Sequence, residues 1–398
     1  MSSRALRPCL AAGCAILLAL AGLALAPARA HRPVPIEGPR GRYIVTLNPG
    51  VADPAGTARR QIGRAGGTLD RVYGSAMTGY SASLPQALLA QLLGDPGVAS
   101  VEPDVEVKLA ATQVNPPTNL DRIDQRDLPL SRTFSYSRGG TGVRAYVIDT
   151  GTRADLPEFM GRVATGYNVF TGKRDTGDCN GHGTHVAGIV ASSTYGVAKN
   201  ATIVPVKAFG CANTTTLSAI IAAVDWATAD HRPGQPAVAN LSFSVAAQSP
   251  ALDRAVAALS ADGVAVAAAA GNEASDACAS SPSSLPQVLT VAATDANDRR
   301  APFSNGGPCV DLFAPGVAVV STDFRSLGTS VISGTSMAAP HVSGALAREM
   351  EIPGTNGQQA QARVLAKATT GKVIGADPRC LLLVLGCQAG TPNRLLFV

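Results

Sequence analysis

Charged and aromatic side chains are scarce in this chain of 398 residues. Charged residues make up 15% of it and aromatic residues 4%, against 46% hydrophobic residues. This composition excludes a mainly disordered protein and favours a large buried core. The chain carries a net charge of +5, but an excess of one charge is missing from residue 111 onward, where there are 22 lysines and arginines and 21 aspartates and glutamates. Nothing here indicates a partner that is a nucleic acid.

Long apolar runs are missing as well, except for one at the start of the chain. Two arginines precede an uncharged run at 10–26, and Ala-Arg-Ala follows at 28–30. This order is typical of a secretory signal peptide. We therefore predict a signal peptide at 1–30, a secreted, extracellular protein, and no stable membrane insertion after processing. An uncleaved anchor and lipidation at Cys14 are the alternatives, although the run is at the short limit for a spanning helix.

Cysteine spacings typical of zinc sites do not occur, since there is neither a CxxC motif nor a Cys/His pattern. Cys9 and Cys14 lie in the predicted signal peptide, which leaves six cysteines for an oxidising compartment. Three disulfides are possible, and spacing alone does not fix their pairing. The six are Cys179, Cys211, Cys278, Cys309, Cys380 and Cys387.

Two segments with different patterns follow. The first contains a strand-like stretch at 42–47 and a helical stretch at 85–93, which predicts a small α+β domain. Extended residues at 107–117 then indicate a linker. From Val143 onward, short apolar runs alternate with amphipathic ones, which predicts an α/β domain whose parallel sheet is buried on both faces.

Asp149 is the first candidate functional residue. It ends the hydrophobic run that begins at Val143 and precedes Thr-Gly. Sites in open α/β sheets form at the carboxyl ends of strands, where a carboxylate can orient a partner. Taken alone, an aspartate before Thr-Gly is more often a turn residue.

The segment NGHGTHVAG at 180–188 places His182 at the entrance of a helix of small residues. Its glycines let the backbone pass close to its neighbours. His185 lies one turn further on. We predict that it is a packed structural histidine, because a two-histidine metal site of the HExxH type needs a glutamate that is missing here.

Ser336 lies in GTSMAAPH at 334–341, where a helix with an early proline begins. Such a serine can be a simple N-cap, but the amides and dipole of a helix start also stabilise an oxyanion. With Asp149 and His182 it supplies a nucleophile, a base and a carboxylate, in the chain order found in subtilisin. The motifs GxSxG and SxxK are absent, which counts against an esterase and a β-lactamase.

The ordered motifs DTG, GHGTHVAG, AAAAGN and GTSMAAPH resemble the signature set of the subtilisin-like serine proteases. Three further segments, at 194–199, 298–307 and 390–397, are most similar to the proteinase K and aqualysin branch. The resemblance implies a three-layer α/β fold with a mostly parallel central sheet at 112–398. It also implies an α+β propeptide domain at 31–111 that acts as folding chaperone and transient inhibitor.

The same resemblance implies the residues that surround the catalytic triad. Asn272 would donate its side-chain amide to the oxyanion, beside the backbone N–H of Ser336. Family members commonly have SLGG in the substrate-binding strand, and this chain has side chains in place of those glycines, which predicts a narrowed S1 entrance. The predicted substrate-binding residues are Leu241, Ser242, Phe243, Ser244, Ala269, Ala270 and Gly271.

Disulfides and calcium are implied in the same way. The pairing in aqualysin-like enzymes implies Cys179 with Cys211 and Cys278 with Cys309, and it leaves Cys380 with Cys387. A structural calcium ion would be held by two backbone carbonyls and one carboxylate, which suit a hard cation. The matching positions are Pro286, Val288 and Asp311.

We therefore predict a monomeric serine endopeptidase, made as an autoprocessed zymogen, that hydrolyses polypeptide substrates through an acyl-enzyme on Ser336. Self-cleavage would fall near residues 109–112. One alternative is an inactive scaffold, suggested by the altered substrate strand. Another is a complex or surface adhesin that retains its propeptide, which requires an uncleaved leader.

Overall fold

The computed structural model describes residues 41–63, 66–104, 111–376 and 390–398. The chain divides into two compact units, residues 1–106 and residues 107–398, called here the N-terminal and C-terminal units. The predicted signal peptide and the cysteines Cys380 and Cys387 lie outside the described residues.

The N-terminal unit consists of one antiparallel sheet and two helices. In chain order these are β1 (Gly41–Leu47), α1 (Pro54–Gly63), β2 (Thr68–Tyr73), β3 (Gly79–Leu84), α2 (Gln86–Leu93) and β4 (Val98–Pro103). The strand order is β2-β3-β1-β4. Alternate residues of β1 are buried, as expected for a sheet covered on one face. Each helix buries a pair four residues apart, Ala58 with Ile62 and Leu88 with Leu92, so the predicted α+β fold is confirmed.

The C-terminal unit contains the remaining elements. Its helices are α3 (Thr118–Ile123), α4 (His182–Ala191), α5 (Leu217–Asp230), α6 (Pro250–Ala261), α7 (Thr335–Met350) and α8 (Gly357–Lys367). Its strands are β5 (Ala111–Val114), β6 (Thr133–Tyr136), β7 (Arg144–Asp149), β8 (Tyr167–Asn168), β9 (Thr202–Lys207), β10 (Ala237–Leu241), β11 (Ala265–Ala269), β12 (Leu289–Thr294), β13 (Leu312–Pro315), β14 (Val319–Thr322), β15 (Thr329–Ile332), β16 (Thr369–Thr370) and β17 (Arg394–Leu395).

A nine-stranded sheet forms the middle of this unit, in the order β16-β17-β13-β12-β11-β10-β7-β9-β8. Its ladders are parallel except for the one between β16 and β17. Successive side chains of a strand point to opposite faces. Ala145 and Val147 accordingly pack in the cluster formed with α4, α7 and α8, whereas Tyr146 and Ile148 pack in the cluster formed with α5 and α6. The predicted three-layer α/β fold is confirmed.

Helix caps explain where α5 and α6 begin. Thr216 precedes α5, and its side chain accepts a hydrogen bond from the backbone N–H of Ala219. Ser249 does the same for α6 by accepting from the backbone N–H of Leu252, and α6 therefore begins at Pro250. At the end of α6, Gly263 adopts φ +104°, which only glycine reaches without strain.

Two disulfides cross-link the described part of the C-terminal unit. Cys179 is bonded to Cys211, and Cys278 is bonded to Cys309. These are the two pairs that the family resemblance implied. Cys179 lies just before α4 and Cys211 lies after β9, so the first disulfide links the segment that leads into α4 to the loop after β9.

Candidate active site

The predicted functional residues meet in a cleft of about 190 Å³ at the carboxyl ends of β7, β10 and β11. This is where an open α/β sheet is expected to place a site. Residues predicted from the sequence that line the cleft are Asp149, His182, Ser242, Phe243, Ser244, Ala269, Gly271, Asn272 and Ser336. Phe209, Glu273 and Thr335 also line it, and sequence reasoning missed them.

Leu241 and Ala270 were also predicted to bind substrate, but they are fully buried and do not line this cleft. Leu241 points to the opposite face of β10, where it packs with residues of α5 and α6. Ala239 packs in the same cluster as Leu241, because side chains two residues apart in a strand point to the same face of the sheet.

Asp149 and His182 form the acid and base part of the site. Asp149 is the last residue of β7 and is almost completely buried, and its two carboxylate oxygens lie 2.8 and 2.9 Å from Nδ1 of His182. His182 is the first residue of α4. A Cβ atom on the next residue, Gly183, would lie 2.2 Å from the carbonyl oxygen of Gly151, so only glycine allows the two elements to approach this closely.

The pKa of His182 is raised above its ordinary value. Burial acts to lower this pKa, but the charge of Asp149, the hydrogen bond to it and the charge of Asp178 together outweigh the burial. The imidazolium form of His182 is therefore stabilised in the folded protein. This suits a general base, which has to carry a proton during the reaction.

Ser336 is the second residue of α7, and Gly334 occupies the N-cap position. The interpretation of Ser336 as a simple N-cap is therefore wrong. Its hydroxyl donates to the carbonyl oxygen of Ser242 at 2.9 Å. Since the backbone N–H groups in the first turn of a helix have no partner within the helix, the N–H of Ser336 is available to an anion.

Asn272 lies beside this helix start and is exposed. Its Oδ1 accepts hydrogen bonds from the backbone N–H of Thr335 at 2.8 Å and from the Thr335 hydroxyl at 3.0 Å. Because both partners donate, the amide oxygen is held at Thr335 and the NH₂ group is left as a donor. Two donors, Asn272 Nδ2 and Ser336 N–H, are thus provided at the start of α7.

A buried hydrogen-bonded chain connects α7 to β10 behind Ser336. Ser343 donates to Oδ1 of Asn240 at 2.9 Å, and Asn240 donates to Oγ of Ser242 at 2.8 Å. Ser242 in turn donates to the carbonyl oxygen of Ser336 at 2.8 Å. All three side chains are almost completely buried, and hydrogen bonds are strong in such surroundings. This network therefore holds the backbone of Ser336 in place.

His185 behaves as the packed histidine that the sequence predicted. It is fully buried, and Nε2 lies 3.1 and 3.2 Å from the carbonyl oxygens of Val319 and Ser330. Burial lowers its pKa to about 4, so the ring is neutral.

Asp311, the predicted calcium ligand, lies at the start of β13. Its Oδ2 accepts a hydrogen bond from the backbone N–H of Thr290 at 2.8 Å, and burial raises its pKa to about 6. Thr290 lies two residues after Val288, so the carboxylate and the predicted carbonyl ligands occupy one region. Within the described ranges, no three acidic, histidine or cysteine side chains form a metal-binding group. A partly buried carboxylate, together with the carbonyl groups of Pro286 and Val288, would nevertheless supply the oxygen donors that a hard cation prefers.

An aspartate, a histidine and a serine thus meet at the carboxyl ends of a parallel sheet that is covered on both faces, an arrangement typical of serine hydrolases with an α/β fold. The Subtilase family (Peptidase_S8) pattern matches residues 97–380, and the Peptidase inhibitor I9 pattern matches residues 42–110. The chain therefore belongs to the subtilase family. It is a serine proteinase that hydrolyses peptide bonds and has an inhibitor I9 domain at its N-terminal side.

Relatives support this assignment. An extracellular serine proteinase of Thermus sp. (strain Rt41A) is 44% identical over 84% of this chain and 83% of its own length. The subtilisin-like serine protease AsES of Sarocladium strictum is 38% identical over 96% of this chain and 97% of its own. The crystal structure of a cold adapted subtilisin-like serine proteinase shares 44% identity, with a TM-score of 0.66, over 71% of this chain and 98% of its own.

The family commonly binds structural calcium.

None of the described helices is long and apolar enough to span a membrane.

Proposed function

We propose that this chain is a secreted serine endopeptidase in which Asp149, His182 and Ser336 form the catalytic triad. The observation that supports this most directly is the contact of both Asp149 oxygens with Nδ1 of His182, in the same cleft as Ser336. That contact holds the imidazole with Nδ1–H toward the acid, which leaves Nε2 to accept a proton.

The catalytic cycle follows from these contacts. The Ser336 hydroxyl leaves the Ser242 carbonyl, transfers its proton to Nε2 of His182 and attacks the scissile carbonyl carbon. Asn272 Nδ2 and Ser336 N–H donate to the oxyanion, and Asp149 stabilises the imidazolium. His182 then protonates the leaving amine, and water reverses the same steps to release the acyl group from Ser336.

The substrate would be an extended polypeptide that lies along residues 241–245. Phe243 is mostly buried there, and its ring packs 5.5 Å from the ring of Phe209. Val245 is tied by backbone hydrogen bonds to Ser281. Because Ser244 and Val245 stand where the SLGG segment of the family has its glycines, we expect a narrow S1 entrance that disfavours large P1 side chains.

The zymogen is the second part of the proposal. The I9 pattern ends at residue 110, and Ala111 is the first residue of the C-terminal unit that pairs in a strand, with Tyr136. Residue 111 is also where the described part of the C-terminal unit begins. Both observations favour self-cleavage near residues 109–112, between a propeptide at 31–111 and a peptidase domain at 112–398. The signal peptide at 1–30, transient inhibition by the propeptide and a monomeric mature enzyme belong to the same proposal.

Calcium bound by Asp311 and the carbonyl groups of Pro286 and Val288 is the third part. A cation there would offset the charge of the partly buried carboxylate, so calcium should raise the melting temperature above pH 6, and this effect should weaken as pH falls below about 6. Melting curves of S336A protein with calcium or with a chelator test this. Asp311→Asn should abolish the shift, whereas the control Asp323→Asn, at another partly buried carboxylate of the same unit, should keep it.

The function is tested by casein hydrolysis and by the size of the chain on a gel. We expect the wild type to mature and to hydrolyse casein, and a serine-directed covalent inhibitor to abolish hydrolysis. Ser336→Ala should remain at precursor size and lose roughly five to six orders of magnitude in kcat. Ser326→Ala, which removes an exposed serine hydroxyl of the same unit, is the control. A wild type that matures and cleaves no protein would instead support the scaffold alternative.

A further inference from the structure

Asp178 lies four residues before His182 and is a second carboxylate beside the proposed base. It was not among the residues predicted from the sequence. Its two oxygens accept five hydrogen bonds. Oδ1 accepts from Thr150 Oγ1 (3.0 Å), Asn180 N (2.9 Å) and Gly181 N (2.9 Å), and Oδ2 accepts from Thr184 N (2.9 Å) and Thr184 Oγ1 (2.6 Å).

These donors come from both elements of the acid and base pair. Thr150 directly follows Asp149, and its hydroxyl also accepts a hydrogen bond at 2.9 Å from the backbone N–H of Gly183, the neighbour of His182. The other donors belong to the first turn of α4 and the residues just before it. One carboxylate therefore ties the end of β7 to the start of α4.

Asp178 is a charged carboxylate at neutral pH. Burial acts to raise its pKa, but the hydrogen bonds from Thr184 and the backbone N–H groups outweigh burial, so the pKa is lowered. Its negative charge then acts on His182 in the same direction as that of Asp149.

Other charged and titratable groups face this region. Lys207 extends from the end of β9, and its Nζ donates to the carbonyl oxygens of Thr150 at 2.6 Å and Gly177 at 3.0 Å. Lys207 interacts with the charges of Asp149, Asp175 and Asp178. His185 interacts with His182 but is neutral.

We propose that Asp178 is a positioning residue for the proposed triad: it fixes the geometry between Asp149 and His182 and places a second negative charge near the imidazolium. The inference rests on the proposed function of His182 as the base. Asp178 does not contact the substrate, and its effect passes through Thr150 and His182.

The test is the pH profile of kcat/KM for a chromogenic peptide, for wild type, Asp178→Asn and Asp175→Asn. With Asp178→Asn we expect the acid limb to move to lower pH by on the order of half a pH unit, because one charge that stabilises the imidazolium is lost. We also expect kcat at pH 8 to fall roughly 10- to 100-fold, because the acid and base lose their alignment. Asp175, an exposed carboxylate in the same loop, should give the wild-type profile when changed to Asn.

An unchanged acid limb in Asp178→Asn would overturn the proposal, because a purely structural carboxylate would not move it. Failure of the proposed function has a different result, namely a wild type that is inactive or has no acid limb.

A second variant covers the case in which Asp178→Asn yields no mature enzyme. Thr150→Val keeps the charge of Asp178 but removes its bond to the segment after Asp149, together with the bond that the Thr150 hydroxyl accepts from the backbone N–H of Gly183. We expect an acid limb at the wild-type pH, a kcat reduced roughly 10-fold and little change in KM. A wild-type kcat in Thr150→Val would contradict the positioning role.

Discussion

The sheets of the two units differ in how much of their surface is buried. The N-terminal sheet is covered on one face by two helices, and its edge strand β2 has no fully buried residue. The C-terminal sheet is covered on both faces, and β10, β11 and β12 are buried along their whole length. A small unit with one covered face gains less from burial for each residue that it orders. We therefore expect the N-terminal unit to be the less stable of the two.

The described residues of the two units also differ in the disulfides and buried ion pairs that stabilise them. The sequence from 41 to 104 contains no cysteine and no histidine. The described part of the C-terminal unit has two disulfides and a buried ion pair between Arg122 and Asp298. A propeptide that is to be removed needs little lasting stability, whereas a protease that remains among other proteases needs much. The three predictions below test this difference, and all use the inactive Ser336→Ala protein so that self-digestion does not interfere.

The largest effect is expected from the buried ion pair. Arg122 Nε lies 2.6 Å from Asp298, and both side chains are at most 8% exposed. Arg122→Gln leaves a buried carboxylate without its partner, so the free energy of unfolding of the C-terminal unit should fall by about 3 to 5 kcal/mol. Denaturant unfolding followed by the fluorescence of the single tryptophan, Trp226, measures this loss.

The matched control is an ion pair of the N-terminal unit. Arg42 Nη2 also lies 2.6 Å from a carboxylate, that of Asp104, but the Arg42 side chain is 65% exposed. Arg42→Gln should cost less than about 1 kcal/mol, because water screens the pair. Equal losses in the two variants would contradict the contrast between the units.

A smaller effect is expected from the disulfide between Cys278 and Cys309, which closes a loop of 31 residues. Replacing both cysteines by serine should lower the free energy of unfolding of the C-terminal unit by about 3 kcal/mol, since the unfolded chain gains freedom. Calorimetry should show that only the transition of this unit moves. The unfolding of the N-terminal unit should be unchanged by reductant, and a shift there would show that the two units unfold together.

The smallest effect is the pH dependence due to His341. This side chain is fully buried, Nδ1 lies 2.8 Å from the carbonyl oxygen of Met337, Nε2 lies 2.8 Å from Nδ2 of Asn119, and burial lowers its pKa to about 4. Because the folded pKa is lowered, its contribution is complete above the unfolded pKa of about 6.5 and is lost as pH falls toward 4. We expect a loss of about 2 kcal/mol between pH 7 and pH 5.

His341→Gln is the variant that isolates the contribution of His341 to the pH dependence of stability. It should be less stable at every pH, but its stability should depend less on pH between 7 and 5 than that of the parent. The N-terminal unit has no histidine between 41 and 104, so its melting temperature should stay more nearly constant over this range. Parallel pH curves for the variant and its parent would contradict the assignment.

Much of the fold could be predicted from the sequence because the patterns that specify it are local. The alternation of apolar and amphipathic runs from Val143 onward predicted the parallel sheet, and the run that begins at Val143 became β7 (Arg144–Asp149). Capping residues such as Ser249 act on the turn that follows them, so they too are local signals. The residues of the proposed triad lie in segments whose glycines and helix starts are visible in the sequence itself.

What the sequence determined by itself is therefore the order of the elements, the fold class, the family and the candidate nucleophile, base and acid, since each depends on residues close together in the chain. The tertiary structure decided which polar groups meet across long separations. Arg122 pairs with Asp298, and Asn119 contacts His341, at separations of 176 and 222 residues. It also decided that Leu241 faces away from the cleft and that Asp178 joins β7 to α4. These contacts depend on strand register and on the packing of helices against the sheet, which no local pattern specifies.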